Sequence, residues 1–353
     1  MLASMMTLLL TVASDPANPP AIPTGTESIL TVTVDSSRRQ VVLRAGPFTI
    51  PAAGGDGAHA HHGSHDAPGS QTPFLTFSWP VSGWLYAFDI SLVDGQGRPL
   101  PRGLIHHVNM MNLERRALLY DAVERTLAAG SETANVELPR TVGFPMSAGT
   151  PMGILAAWAN ESGTAVTDVY LVVEYRWSPT KLNPRPVDVL PLYMDVNYRG
   201  AGLSASYDLP PGRSEASHEF TMPIDGRLLG AGGHLHDYAI AVRLEEVESG
   251  KEVVRLKATL DQHGTIQGVE QKIFGVRGDG IRLRQGRRYR VIAEYDNPTG
   301  ATIPSGAMGI MIGLFAPSRL QDWPRADPAI PGIKADLTAI LGGAAQGQGR
   351  LDP

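Results

Sequence analysis

The strongest constraint on this chain is that its apolar residues recur at every second position, in short runs, and almost nowhere at helical spacing. "SILTVTVD" and "QVVLRAG" alternate apolar and polar residues, and "WLYAFDISLVD", "DVYLVVEYRW" and "RRYRVIAEYDN" are further apolar runs of strand length. That is the pattern of strands with one face on a core. Turn formers separate the runs: 39 glycines and 28 prolines are spread over 353 residues. Glycine and proline at this density favour many tight turns over long helices. The expected fold class is therefore all-β, built as two tandem jelly-roll (β-sandwich) domains.

Residues 1–25 read as leader and linker. "MLASMMTLLLTVASDPANPP" is apolar and then proline-rich. Its apolar part, about a dozen residues, is shorter than the roughly 20 residues a membrane helix needs. It resembles the apolar region of a secretory signal that lacks its basic start, so the expected location is exported, periplasmic or extracellular. The first β block spans 26–180 and is interrupted at 54–70 by "GGDGAHAHHGSHDAPGS". This stretch has no periodicity and holds His59, His61, His62 and His65. It reads either as a metal-gathering segment or as an incidental insertion. "SPTKLNPRPVD" reads as a link, a second β block spans 187–318, and 319–353 is a Pro- and Gly-rich tail with at most a short helix near "KADLTAIL".

Composition removes several functions. The net charge is −5 with both signs interspersed, so no basic nucleic-acid face is expected. There is no cysteine, which excludes disulfides, thiolate metal sites and cysteine nucleophiles. No G-x-S-x-G, H-E-x-x-H or Walker pattern occurs. "GVRGDGIRLRQG" lacks the strand–turn–helix setting of a phosphate loop. Oligomeric state is left open.

Chemistry concentrates in the histidines. In "GAGGHLHDYAIAV", His234 and His236 stand two apart directly after a glycine run. Alternate strand residues share a face, so the pair either holds one metal ion or forms two half-buried side chains. "LIHHVNMMN" places His106 beside His107. Adjacent strand residues point to opposite faces, so joint ligation needs a bent strand or the nearer ring nitrogen. Asp237 is placed to orient an imidazole or to sit at the surface. Met308, in "GAMGIMIGLF", is a core residue or a thioether ligand, with Ile310 and Ile312 expected in the core beside it. Imidazole with thioether suits copper, Cu(I) above all.

Read in order, "LIHHVNMMN", "LPRTVGFPMSAGTPMGILAAWANESG", "GGHLHDYA" and "DNPTGATIPSGAMGIMIGLF" give a chain that resembles the copper type II, ascorbate-dependent monooxygenases. This is the family of peptidylglycine α-hydroxylating monooxygenase and dopamine β-monooxygenase, and the resemblance covers roughly residues 75–318. It implies two jelly-roll domains with one copper each, facing across a solvent-filled cleft. His234, His236 and Met308 would hold the catalytic copper, and His106 and His107 would supply two of three ligands to an electron-transfer copper. Dioxygen and a small-molecule substrate would be partners, with ascorbate as reductant.

Two departures qualify what the resemblance implies. The third histidine of the electron-transfer site is missing: Trp158 or Ala159 stands near that position. The family's substrate-carboxylate clamp falls here on Gly232, Ile310 and Ile312, which cannot form charge-assisted bonds. Peptidylglycine is therefore not expected as substrate. The expectation is a copper-dependent, monooxygenase-like protein hydroxylating a C–H bond of a small apolar or neutral molecule. Its alternatives are a non-catalytic copper-binding protein of the bacterial envelope, and an interaction module whose histidines are incidental.

Overall fold

The computed structural model describes residues 6–8, 29–52, 71–131, 133, 135–160, 162–200, 206–277 and 279–346. Most of residues 1–25, and the His-rich stretch at 54–70 with its four histidines, lie outside the described residues. The all-β expectation holds: strands fill both halves, and each half is a pair of facing sheets.

The first sandwich sets a large sheet against a four-stranded one. Along its main path the large sheet runs Met6–Leu8, Ile29–Asp35, Gln40–Ile50, Val166–Pro179, Gly83–Val93, Val142–Met146 and Val187–Asp188. The opposing sheet runs Leu75–Ser78, Pro151–Trp158, Ile105–Arg116 and Val123–Gly130. Burial alternates along Gln40–Ile50 and Val166–Pro179, as a strand with one face on a core requires. The core holds Trp79, Leu43, Leu92, Ile105, Met110, Ile154 and Leu171.

The second sandwich repeats the plan. One sheet orders Leu190–Asp195, Gly309–Pro317, Gly226–Leu235 and Lys272–Ile273. The other orders Gly212–Thr221, Arg288–Asn297, Ala239–Glu246, Lys251–Leu260 and Ile266–Val269. Between them pack Leu192, Leu228, Leu235, Val242, Leu256, Val291, Tyr295, Met311 and Phe315.

Each half reaches into the other. The hairpin tip at 117–122 drops Leu118 into the second core, and the Tyr120 hydroxyl accepts the Asp195 N–H at 3.0 Å. The stretch read as a link ends as a strand of the first sheet: Val187 and Asp188 pair in parallel with Val142 and Gly143, and the Trp84 indole N–H donates to Asp188 at 2.7 Å. Tyr86, Val142, Val189, Leu229 and Ala316 form an apolar cluster between the halves.

The tail carries more structure than expected. Pro331–Gln346 is a helix of 16 residues that returns to the first sandwich, where Ile333 and Ile340 pack on Met111 and Val123. Asp336, fully buried, accepts the Val123 N–H at 2.8 Å and both terminal nitrogens of Arg125 at 2.7 Å. Among the described residues no helix is long and apolar enough to cross a membrane.

Candidate metal centre

His234 and His236 come from Gly226–Leu235 and the turn after it, and Met308 stands just before Gly309–Pro317. The two strands pair antiparallel, with Gly232 opposite Ile312, His234 opposite Ile310 and Leu235 opposite Gly309. Continued by one step, that register sets His236 opposite Met308. The ladder stops there, and the Tyr295 hydroxyl takes its place. It accepts the His236 N–H at 3.1 Å and the Met308 N–H at 3.2 Å, and it donates to the Met308 carbonyl. Sequence reasoning missed Tyr295, because it sits in an ordinary alternating strand with nothing to mark it.

The histidine rings are perpendicular with centroids 5.3 Å apart. His236 is 4% exposed, while His234 and Met308 are half-buried. The register also corrects the expectation for Ile310 and Ile312. The inward positions of this strand are Met311 and Phe315. Ile310 and Ile312 lie on the opposite, half-buried side with His234, Asp195 and Tyr193. Asp195 is fully buried and accepts the Tyr193 hydroxyl at 3.0 Å and the Asn197 N–H at 2.8 Å. Asp237 ties down the turn: its Oδ1 accepts the Ile266 N–H at 2.9 Å, beside Tyr238 in the left-handed region at φ +64°.

The glycine run has two distinct roles. A Cβ on Gly233 would meet the Ile310 carbonyl oxygen and Val242 Cγ1, each at 3.0 Å, whereas one on Gly232 would meet only Gln271 Cγ at 3.7 Å. Gly233 lets the two sheets close up beneath the histidines. Gly232 leaves open space beside them.

The first pair converges by a different route. Ala157 pairs with His107, but Trp158 pairs with Ile105. His106 is thus the extra residue of a β-bulge, which bends the strand and re-aims its side chain. The two Nδ1 atoms lie 3.1 Å apart and the ring centroids 5.2 Å apart. At that separation one ring hydrogen-bonds the other, Nδ1 to Nδ1. No third imidazole joins them among the described residues. Trp158 instead packs on Phe48 at 5.7 Å between ring centroids, and the Ala159 N–H bonds the Leu104 carbonyl at 3.0 Å.

Among the described residues no three of His, Cys, Asp and Glu come together as a metal-holding group. The five expected ligands therefore resolve into two imidazole pairs, with the Met308 backbone tied to that of His236 through the Tyr295 hydroxyl. Burial raises the Tyr120 and Tyr207 phenols well above their ordinary range, and the Tyr295 phenol is pushed up to about 12. All three remain protonated at neutral pH, and Tyr120 and Tyr295 act there as neutral hydrogen-bonding groups.

No family model matches the chain, and no curated protein matches it. Among solved structures it is similar to the major capsid protein P2 from bacteriophage PM2, at 10% identity and TM-score 0.32, covering 70% of this chain and 93% of that one. It is likewise similar to the STIV MCP, at 8% identity and TM-score 0.35 with coverage of 69% and 91%. A third is the mavirus major capsid protein, at 10% identity and TM-score 0.26 with coverage of 89% and 93%. Scores this low carry no argument about what the chain does. The family resemblance drawn from the sequence is corrected by these findings. With no family model and no curated protein matching it, the chain is not assigned to the copper monooxygenases. The oxidoreductase character attached to it falls with that assignment, and the β-sandwich fold stands.

Proposed function

We propose that this protein is a copper-binding protein that holds Cu(I) on His234, His236 and Met308. The observation that carries the reading is the strand register, which runs Gly226–Leu235 against Gly309–Pro317 so that the next pair is His236 and Met308, with the His234 ring beside them. Two imidazoles and a thioether form a borderline-to-soft donor set, which suits Cu(I) over zinc or magnesium. Ring centroids 5.3 Å apart fit one ion held by a nitrogen from each ring at about 2.0 Å. A three-donor site leaves a position for a further small ligand. The adjoining wall joins the apolar Gly232, Ile310 and Ile312 to the buried Asp195 opposite Ile310. The exported location expected from the apolar leader belongs to the same proposal.

Within this reading the first sandwich supplies a weaker second site. The specific observation in its favour is the convergence of the His106 and His107 Nδ1 atoms to 3.1 Å. Two donors bind less firmly than three, so the two sites should fill in sequence.

The test is a Cu(I) titration under reducing conditions against a chromogenic competitor, followed by elemental analysis after dialysis. The expected result is one tightly held copper that Met308→Ala or His234→Ala removes without unfolding the protein, and a weaker one that His107→Ala removes. A wild type that retains no copper, or a tight copper unaffected by both second-sandwich variants, would end the proposal.

A further inference from the structure

We infer that Tyr295 is the positioning residue of the second-sandwich site, its hydroxyl setting the distance between the His236 and Met308 backbones. The inference rests on the copper-binding reading for its significance, but its geometry stands without a metal.

A tyrosine hydroxyl has one proton to give and two lone pairs to receive with. In Tyr295 all three are committed to this one place. The His236 and Met308 N–H groups occupy the lone pairs at 3.1 and 3.2 Å, and the proton goes to the Met308 carbonyl. A regular antiparallel ladder would have bonded His236 to Met308 directly. Inserting an oxygen between them holds the strands apart while satisfying both, so the gap is fixed rather than loose. Buried N–H groups without partners are costly, so neither backbone can leave without a penalty.

The rest of the second sandwich aims Tyr295 at that point. Its ring is 1% exposed and part of the core. Its strand, Arg288–Asn297, belongs to the opposite sheet and pairs with Gly212–Thr221 on one side and Ala239–Glu246 on the other. Gly309, the residue after Met308, brings the two sheets together: a Cβ there would lie 2.4 Å from Ala293 Cβ, two residues before Tyr295. The hydroxyl therefore spans the sandwich from a strand braced on both edges to the one place where the facing ladder is open. Metal sites commonly depend on such outer contacts for ligand orientation.

The test compares Tyr295→Phe with Tyr207→Phe. The control removes a neighbouring buried hydroxyl that has no hydrogen-bond partner among the described residues. In metal-free protein, amide hydrogen exchange should show the His236 and Met308 N–H groups of the wild type protected as a linked pair. Tyr295→Phe should lower protection at both by about tenfold, the scale of one lost hydrogen bond, and Tyr207→Phe should leave both unchanged. In copper-loaded protein, Tyr295→Phe should weaken Cu(I) binding about 10–100-fold and remove the sulfur scatterer from the copper-edge absorption spectrum while the two nitrogens remain. Fast exchange at either amide in the wild type, or unchanged protection in Tyr295→Phe, would overturn the inference even if that variant folds poorly, since the first measurement needs no variant. Loss of protection in a protein that never binds copper would overturn the copper reading alone.

Discussion

The two glycines before His234 give a matched pair of substitutions whose effects should have opposite signs. An alanine at either position lowers the entropy of the unfolded chain, which stabilises the native state by about 0.5–1 kcal/mol where the new methyl fits. At Gly232 it fits, because the nearest atom to a Cβ placed there is Gln271 Cγ at 3.7 Å. At Gly233 it does not: Val242 Cγ1 and the Ile310 carbonyl oxygen stand at 3.0 Å and Val269 Cγ1 at 3.2 Å. Two of these neighbours are valines packed in or against the core and the third is backbone of the paired strand, so nothing nearby can swing aside. Overpacking of this kind costs about 1–3 kcal/mol, which outweighs the entropic gain. Gly232→Ala should therefore hold or raise stability, and Gly233→Ala should lower it, with the two separated by about 1–3 kcal/mol. Guanidinium unfolding followed by tryptophan fluorescence reads the difference as a shift in midpoint at constant slope. Gly233→Ala should also weaken Cu(I) binding, because the displaced Ile310 carbonyl belongs to the strand that follows Met308. Equal midpoints for the two variants, or a larger loss at Gly232, would refute the close-approach argument.

Three further outcomes follow, two of them from buried carboxylates. Asp336→Ala removes the acceptor of three bonds at 2.7–2.8 Å and strands Arg125. It should cost about 3–5 kcal/mol and expose Pro331–Gln346 to limited proteolysis, whereas an unchanged cleavage rate would show that the helix docks by its apolar face alone. Burial raises the Glu124 carboxyl above its ordinary 4.5, with Arg115 pulling the other way. A raised carboxyl stabilises the fold below the unfolded value and loses that contribution as pH climbs through the raised one. Urea unfolding from acid to neutral pH should thus show wild type losing ground to Glu124→Gln above pH 4.5, and a wild type that gains ground with pH would contradict the sign. His107→Ala should leave the tight copper of the second sandwich in place and remove only the weaker phase of a Cu(I) titration; loss of both phases would mean that the two sandwiches share one site.

The strands were legible because burial on one face writes a period of two into the sequence, and Gln40–Ile50 and Val166–Pro179 show it in their burial. The segments that cross between halves were not. Leu118 and Tyr120 sit on a hairpin tip whose sequence, "ALLYDA", carries no sign that its partners lie some 75 residues away at Asp195. Val187–Asp188 is only 2 residues long, too short for any periodicity. The helix was underestimated because its final turn, "GGAAQ", is weak in helix formers that pack. At the site, the strand stops at Leu235, one residue short of His236, and Ile310 and Ile312, expected in the core, lie on the other face from the inward Met311. The family resemblance rested on two histidine pairs, a methionine, the glycine- and turn-rich stretches around them, and the order and spacing of these along the chain. Strand length and turn length set such spacings in many β-sandwiches, so they carry less information about ancestry than their order suggests.

The two histidine pairs raise a common physical problem. An intact antiparallel ladder fixes side chains alternately up and down and leaves no backbone freedom for converging ligands. Each pair lies where the ladder is broken, by different means. At His106 an extra residue bulges out and turns an adjacent pair, which should diverge, into two Nδ1 atoms 3.1 Å apart. At His236 and Met308 no residue is added, and a hydroxyl from the opposite sheet stands in for the missing ladder bonds. The first solution depends on the local strand alone and brings together only what is adjacent in sequence. The second depends on the sandwich as a whole, because the oxygen, the histidine and the methionine come from three strands in two sheets. Under the copper proposal, that difference predicts firmer binding at the second sandwich than at the first, because the His236 and Met308 backbones are fixed by the packing of the core.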